Sequence, residues 1–568
     1  NQPVQTNEST GPVWITRSNH SQYPETIKIF KVTIVTNIMV KSQRKKIQKV
    51  ILTYPNQLWY KKDLTTTWNL NPYTICLLAT MIKGEVDVKI VDAQFYNMSE
   101  EAFKRQVEKY KPDLVGISQM TSEYATIAHK AAEIVKHVNK DIIVLMGGVH
   151  VTTMYLDVMK DTNIDYAITG EGEYVFKDFI KYLNNEGPFP TKGMVYRKDN
   201  SEVKALPKEL IQDMDALPFV DYSFVDFKDY GNKTQRYSLD APTEFPFIRM
   251  PSSRGCPVGC TFCQVENISG APYRSYSPVR LVEEMEHLQK YYGIKYFNFD
   301  DDNAFYDKKR TKEIMRLLID RKLDLKFKAS GVSVFCLDNE VVDLLAMANC
   351  EMINIAIESG VERVLKDIVE KPVKLQKVTE MIKYCKSKGI FMVANFIIGF
   401  PGESWDEIRQ TLKFAETCGA DYVKIYIAIP IHGTKLYEMA KKMNVILGDE
   451  HEISWRYGRM STKSFSPIDV SILRVYEWDR INFTDENKRK KTAKIMNITE
   501  LELDKIRIET RQALDLETLS KDTKEEEQKR KKNLMERETV GYPATGDKAP
   551  DRSLEKTENL LNMARMMN

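Results

Sequence analysis

Cys256, Cys260 and Cys263 fall within Arg254-Gly255-Cys256-Pro257-Val258-Gly259-Cys260-Thr261-Phe262-Cys263 and are spaced C-x3-C-x2-C. Three thiolates this close can take three corners of a cubane [4Fe–4S] cluster and leave the fourth iron without a protein ligand. An open iron can bind and polarise a substrate, whereas a closed cluster only passes electrons. Structural zinc is the competing chemistry, but it wants four ligands, usually as two close pairs. No second Cys or His pair flanks this stretch, and the next histidine downstream is His287. Cys76, Cys336, Cys350, Cys385 and Cys418 lie singly on apolar segments and read as buried thiols. Eight cysteines in so long a chain argue against a secreted disulfide framework. An exposed low-potential cluster needs a reducing compartment, so the expected location is cytoplasmic.

Other polar groups stand where apolar runs end. Glu358 closes Ile355-Ala356-Ile357, where an unpaired charge would be costly, so a polar ligand or a cation is expected beside it. Asp300, Asp301 and Asp302 crowd three like charges at one strand end, which requires an offsetting ligand, metal or base. Lys371 and Lys374 read by default as solvent-facing, and Ser330 ends the run Phe327-Lys328-Ala329.

These residues must be positioned by two α/β runs. In the first, apolar strand runs begin at Lys49, Val86, Leu114, Ile142 and Tyr166, with helix patterns at 72–83, 99–110, 123–138 and 173–184 between and after them. This rhythm predicts a parallel, doubly wound, Rossmann-like sheet whose ligands bind outside the carboxyl ends of the strands. Those ends carry Ser118 and Thr121, then Gly147-Gly148-Val149-His150, then Gly170-Glu171-Gly172-Glu173. The second run starts near Phe247 and continues to about residue 440, with the cysteine loop after its first strand. Sites of barrel-type folds lie at that end.

The cysteine loop, with aromatic Phe262 before the third cysteine, resembles the radical S-adenosylmethionine (SAM) superfamily. Phe297–Phe305, Ile355–Gly360, Phe396–Ser404 and Pro430–Tyr437 follow in that superfamily's order. The first α/β run resembles its cobalamin-binding domain. The resemblance implies an α/β fold: an N-terminal Rossmann-like cobalamin-binding domain, a partial (β/α)6 barrel, and a helical C-terminal region. It implies three cofactors, a [4Fe–4S] cluster on Cys256, Cys260 and Cys263, SAM, and cobalamin. SAM contacts are implied for Phe262, Asp301, Ser330, Glu358 and Pro401, although the sequence does not separate Asp301 from its two acidic neighbours. Cobalamin contacts are implied for Ser118, Thr121, Gly147, Gly148, His150, Gly170, Glu171 and Gly172. For His150 a structural hydrogen bond in the loop is the plainer reading. The Asp-x-His-x-x-Gly motif of cobalamin mutases is absent, so no histidine is marked as a cobalt ligand. A displaced nucleotide tail would enter the sheet near Ser118 and Gly147.

The expected organisation is an extension at 1–47, the cobalamin-binding domain at 48–185, a linker at 186–245, the radical SAM core at 246–440 and a helical region with a charged tail at 441–568. Net charge is +3 on 568 residues, which leaves no nucleic-acid footprint. No apolar stretch is long enough for a membrane span. The opening Asn1-Gln2-Pro3-Val4, with neither methionine nor an apolar leader core, reads as a fragment or a misassigned start. The implied function is methylation of an unactivated carbon through a 5′-deoxyadenosyl radical and methylcobalamin. The implied partners are a small-molecule or peptide substrate and an external one-electron reductant of the flavodoxin or ferredoxin type. Cyclisation or rearrangement with the same cofactors is the alternative, and a non-catalytic cobalamin or electron carrier stands behind it. Methylthiotransfer is disfavoured, because only Cys76 precedes the motif.

Overall fold

A computed structural model describes residues 46–59, 72–199, 202–232, 239, 241–448, 453, 455, 457–512 and 514. The basic run Lys41–Lys46, apart from Lys46, and the charged stretch Ser520–Glu538 lie outside the described residues.

Strands β1 (Lys49–Tyr54), β2 (Asp87–Asp92), β3 (Leu114–Gln119), β4 (Ile143–Gly148) and β5 (Tyr166–Ile168) are parallel, in the spatial order β2-β1-β3-β4-β5. Their near-continuous apolar sequences follow from burial on both faces. Helices α1 (Tyr73–Met81) and α5 (Glu173–Leu183) cover Val50, Leu52, Leu145 and Ile168 on one face. Helices α2 (Glu100–Tyr110), α3 (Ala125–Val138) and α4 (Val149–Val158) cover Ile51, Val115, Val144 and Met146 on the other. The strand order reverses between β1 and β3, and ligands of such sheets bind at that crevice.

The sheet runs past the expected boundary at 185. Strands β6 (Met194–Lys198) and β7 (Glu202–Ala205) add to its edge in antiparallel fashion, with Ile168 opposite Met194. Gly187-Pro188, Pro190 and Pro218 make this segment read as linker, yet short charged edge strands form within it. Helix α6 (Phe227–Asn232) straps the following segment to the sheet. Its Tyr230 hydroxyl donates to Asp92 Oδ2 at 2.9 Å and its ring stacks on Phe95.

The second unit is a six-stranded parallel sheet in sequential order, the partial (β/α)6 barrel expected. It comprises β8 (Phe247–Met250), then a ribbon of β9 (Ser253–Arg254) and β10 (Arg274–Ser275) enclosing the short helix α7 (Val265–Ile268). Next come α8 (Pro278–Tyr292), β11 (Tyr296–Phe299), α9 (Lys308–Asp320), β12 (Lys326–Val332), α10 (Asn339–Met347) and β13 (Cys350–Glu358). A π-helical turn (Val364–Val369), α11 (Leu375–Ser387), β14 (Phe391–Ile398), α12 (Trp405–Thr417), β15 (Tyr422–Ile427) and α13 (Lys435–Lys442) complete it. Local signals agree with the fold. Helix α8 starts from a Ser277 cap with Pro278 in its first turn and stops at Gly293 in the left-handed conformation.

Helices α14 (Pro467–Phe483), α15 (Glu486–Ile495) and α16 (Glu500–Gln512) follow. Helix α14 closes the open side of the barrel sheet. The Asn482 side chain accepts from Val423 N at 2.7 Å and donates to Val423 O at 2.8 Å, in place of a seventh strand. Lys328, buried on β12, donates to the carbonyls of Leu239, Ala241 and Ile495 and ties the barrel to the linker and α15. Among the described residues no helix is long and apolar enough to cross a membrane.

Candidate functional site

The cysteine loop leaves β9 through Gly255, whose φ is +84°. A Cβ there would lie 2.1 Å from Pro272 O, so only glycine fits. Gly255 N donates to Asp302 at 2.8 Å and Cys256 N to Gly270 O at 3.3 Å. Thr261 fastens the loop's far side. Its N–H and hydroxyl donate to Val369 O and Ile368 O in the π-helical turn, and its carbonyl accepts from Leu436 N. Burial pushes the thiols of Cys260 and Cys263 up to about 12 and about 11, so iron binding here releases protons. Among the described residues no three His, Cys, Asp or Glu side chains gather as one metal ion would need. Cys260 and Cys263 each feel the other cysteines of the loop, and three free thiols so gathered are the donor chemistry a [4Fe–4S] cluster takes.

Beside the loop, Glu358 ends β13 with a φ of +78° and its carboxylate 2.7 Å from Lys371 Nζ. Both side chains are buried, and Lys371 also donates to Ala356 O at 2.8 Å. Burial opposes the charge on Lys371, but Glu358 and then Cys260 outweigh it and hold the ammonium above its ordinary value. The cation expected beside Glu358 is therefore this lysine. Lys371 is drawn from solvent by the pair it forms, while Lys374 is exposed.

The acidic trio is resolved by three separate partners. Asp300 pairs with Arg249. Asp301 turns under the loop and accepts from Ser252 N, Ser252 Oγ and Ser253 Oγ. Asp302 takes Gly255 N. Asp300 and Asp302, not Asp301, face the cavity described below. Phe262 packs against Phe400, ring centres 6.1 Å apart, which joins the cysteine loop to the end of β14. Pro401 is buried in that same turn, held by Glu403 accepting from Gly399 N and Phe400 N. Ser330, half-buried near the end of β12, and Glu358 and Pro401 thus mark the carboxyl ends of three consecutive barrel strands.

A cavity of about 390 Å³ lies between the two sheets. Ser118, Gly147, Gly148, Gly170, Glu171 and Gly172 line it from the Rossmann-like side, and Pro251, Ser253, Arg254, Asp300 and Asp302 from the barrel. Gly148 has a φ of +105°, and a Cβ there would lie 2.2 Å from Gln119 O. The cavity continues as an apolar slot over the sheet between Leu52, Ile75, Leu78, Gly116, Leu145, Ile168 and Phe176. A glycine floor with a slot at its side suits a flat macrocycle bearing a tail, so the residues fit cobalamin. Sequence reasoning missed the slot, although Gly116 inside a strand signals close approach of another group.

The other two Rossmann-side candidates stand apart from the cavity. Thr121 Oγ1 accepts from Glu123 N and caps a turn. His150 is buried with Nδ1 3.3 Å from Ser122 Oγ. Burial, then the neighbouring His129, lower its pKa to about 4, which leaves a neutral structural imidazole. Among the described residues lining the cavity there is no histidine.

Glu171 and Glu173 also reach across to the ribbon. Arg254 lies 2.6 Å from Glu173 and 3.5 Å from Glu171, and Arg274 lies 2.8 Å from Glu171. The two arginines are directly opposite each other on β9 and β10. All four side chains are largely buried, so this clasp fixes the cysteine loop against the Rossmann-like sheet.

A three-cysteine loop at a (β/α)6 barrel mouth thus lies beside a cavity that the barrel shares with the glycine-rich strand ends of a Rossmann-like sheet. Residues 250–415 match the Radical SAM superfamily and residues 67–180 the B12 binding domain. An uncharacterized methyltransferase of Pyrococcus horikoshii is 32% identical over 72% of this chain and 86% of its own length. The cytidylyl-2-hydroxyethylphosphonate methyltransferase of Streptomyces wedmorensis is 27% identical over 70% of this chain and 82% of its own. The structure of the cobalamin-dependent S-adenosylmethionine radical enzyme OxsB, with aqua-cobalamin and S-adenosylmethionine bound, superposes with a TM-score of 0.63 at 17% identity, over 92% of this chain and 79% of that one. The chain belongs to the cobalamin-binding radical SAM methyltransferase family. It is an enzyme whose cofactors are a [4Fe–4S] cluster, SAM and cobalamin.

Proposed function

We propose that this enzyme methylates an unactivated carbon of a small-molecule or peptide substrate, drawing electrons from an external flavodoxin- or ferredoxin-type reductant in a reducing cytoplasm. The observation that carries this reading is the cavity shared by the Rossmann-like strand ends and the barrel mouth. When bound, cobalamin supplies methyl transfer, and the cluster with SAM supplies hydrogen abstraction. The chain's own residues place these chemistries around one water-poor space. Cys256, Cys260 and Cys263 ligate the cluster. Ser330, Glu358 and Pro401, with Phe262 packed behind, hold SAM at the strand ends. Ser118, Gly147, Gly148, Gly170 and Gly172 make the floor under the corrin, and the slot at Gly116 receives its tail. Asp301 contributes by holding Ser252 and Ser253 beneath the cluster loop. Methyl transfer to carbon in this scheme needs no general base, and none is assigned.

The test is anaerobic turnover of the reconstituted enzyme with SAM, a reductant and hydroxocobalamin, scored by mass spectrometry. S-adenosylhomocysteine and 5′-deoxyadenosine rising together with a substrate support radical methylation. 5′-Deoxyadenosine alone, with cobalamin bound, replaces it with cyclisation or rearrangement. Neither product, from protein with an intact cluster, sinks the assignment.

A further inference from the structure

Asn303, in the loop after β11, is 1% exposed, and its Nδ2 lies 3.5 Å from Cys256 Sγ. The amide cannot be turned around. Its Oδ1 accepts from Ser333 N at 3.3 Å and from the Cys336 thiol at 3.7 Å. The opposite orientation would set an N–H against the Ser333 N–H and an oxygen lone pair against a thiolate. Cys336 lies on no cofactor-ligand motif, yet its buried thiol points at this amide. A donor so fixed has one consequence for a cluster ligand. An electron added to the cluster spreads negative charge onto the cysteine sulfurs, and a hydrogen bond to such a sulfur stabilises the reduced state more than the oxidised one.

We propose that Asn303 is a positioning residue that raises the reduction potential of the cluster through its hydrogen bond to Cys256, with Ser333 and Cys336 fixing its orientation. The proposal rests on the cluster reading above. It places the residue that governs how readily the external one-electron reductant loads the cluster outside the cysteine motif.

The test is an EPR-monitored redox titration of the reconstituted enzyme and of Asn303→Leu, each with four irons confirmed. The reduction equilibrium constant is expected to fall about threefold to tenfold in the variant, where tenfold corresponds to about 59 mV for a one-electron couple. An unchanged midpoint in N303L with an intact cluster overturns the proposal. Pulsed EPR of the reduced unsubstituted enzyme, labelled with side-chain ¹⁵N-asparagine, covers the case in which N303L does not fold. A ¹⁵N coupling to the cluster is expected, and its absence also overturns the proposal. Failure of the unsubstituted enzyme to assemble any [4Fe–4S] spectrum would remove the cluster reading and this inference together, an outcome distinct from an intact cluster with an unshifted potential.

Discussion

The buried Lys371–Glu358 pair beside the cysteine loop and the buried Asp92 of the Rossmann-like sheet make separable predictions. Lys371 and Glu358 pair at 2.7 Å with little solvent on either side. Breaking a buried pair strands its partner, so Lys371→Met is expected to destabilise the protein by about 3–5 kcal/mol. The double variant K371M/E358Q should recover part of that loss. Chemical denaturation of K371M, E358Q and the double variant checks this, and additive losses would argue against a coupled pair. Asp92 is held by Tyr230 and Phe95 N, yet burial dominates and raises its pKa to about 7. An acid with a raised native pKa binds more protons folded than unfolded. Its stability contribution is therefore complete below about pH 4 and lost as pH rises through about 7. Asp92→Asn should accordingly raise Tm at pH 8 and leave it near that of the unsubstituted protein at pH 4. A constant offset across that range would contradict the titration.

At the scale of elements, β4 offers a clean probe of the cavity. A Cβ at Gly147 would meet nothing nearer than Ile168 O at 3.9 Å, so the strand tolerates a side chain there. Gly147→Leu would fill the cavity floor. It should weaken cobalamin binding at least tenfold, measured by equilibrium dialysis, while iron content and Tm stay close to those of the unsubstituted protein. Equal affinity would move the corrin elsewhere. The elements themselves were largely legible. Period and punctuation placed β1 to β5 and the barrel alternation, because strands buried on both faces must be apolar and helices over them must be amphipathic. β6 and β7 were not legible, since Gly187-Pro188, Pro190 and Pro218 around them read as linker. At the site, spacing identified Cys256, Cys260 and Cys263 as a set, and strand-end glycines marked the cavity floor. The pairing of Lys371 with Glu358, the turn of Asp301 away from the cavity and the seclusion of His150 depend on contacts between distant segments, which no local pattern carries.

For the whole molecule, the barrel is completed by residues beyond its last strand. Asn482 satisfies both backbone groups of Val423 on β15, and Trp478 Nε1 donates to Tyr422 Oη at 2.7 Å. A chain ending after residue 440 would present an unpaired strand edge, which templates association between copies. Such a truncation is expected to elute as aggregate in size-exclusion chromatography, and Asn482→Ala in the full chain to lower Tm. A monodisperse truncated protein would show that α14 is dispensable.

The clasp of Arg254 and Arg274 with Glu171 and Glu173 bears on how the two halves could be exchanged. Each half, taken alone, carries two like charges shaped for the other: a pair of glutamates on the Rossmann-like sheet, a pair of arginines on the ribbon. A recombination that brought in a foreign half lacking the matching pair would bury those charges unopposed. Chimaeras between relatives should therefore succeed only where the crossover keeps both pairs of charges from the same parent.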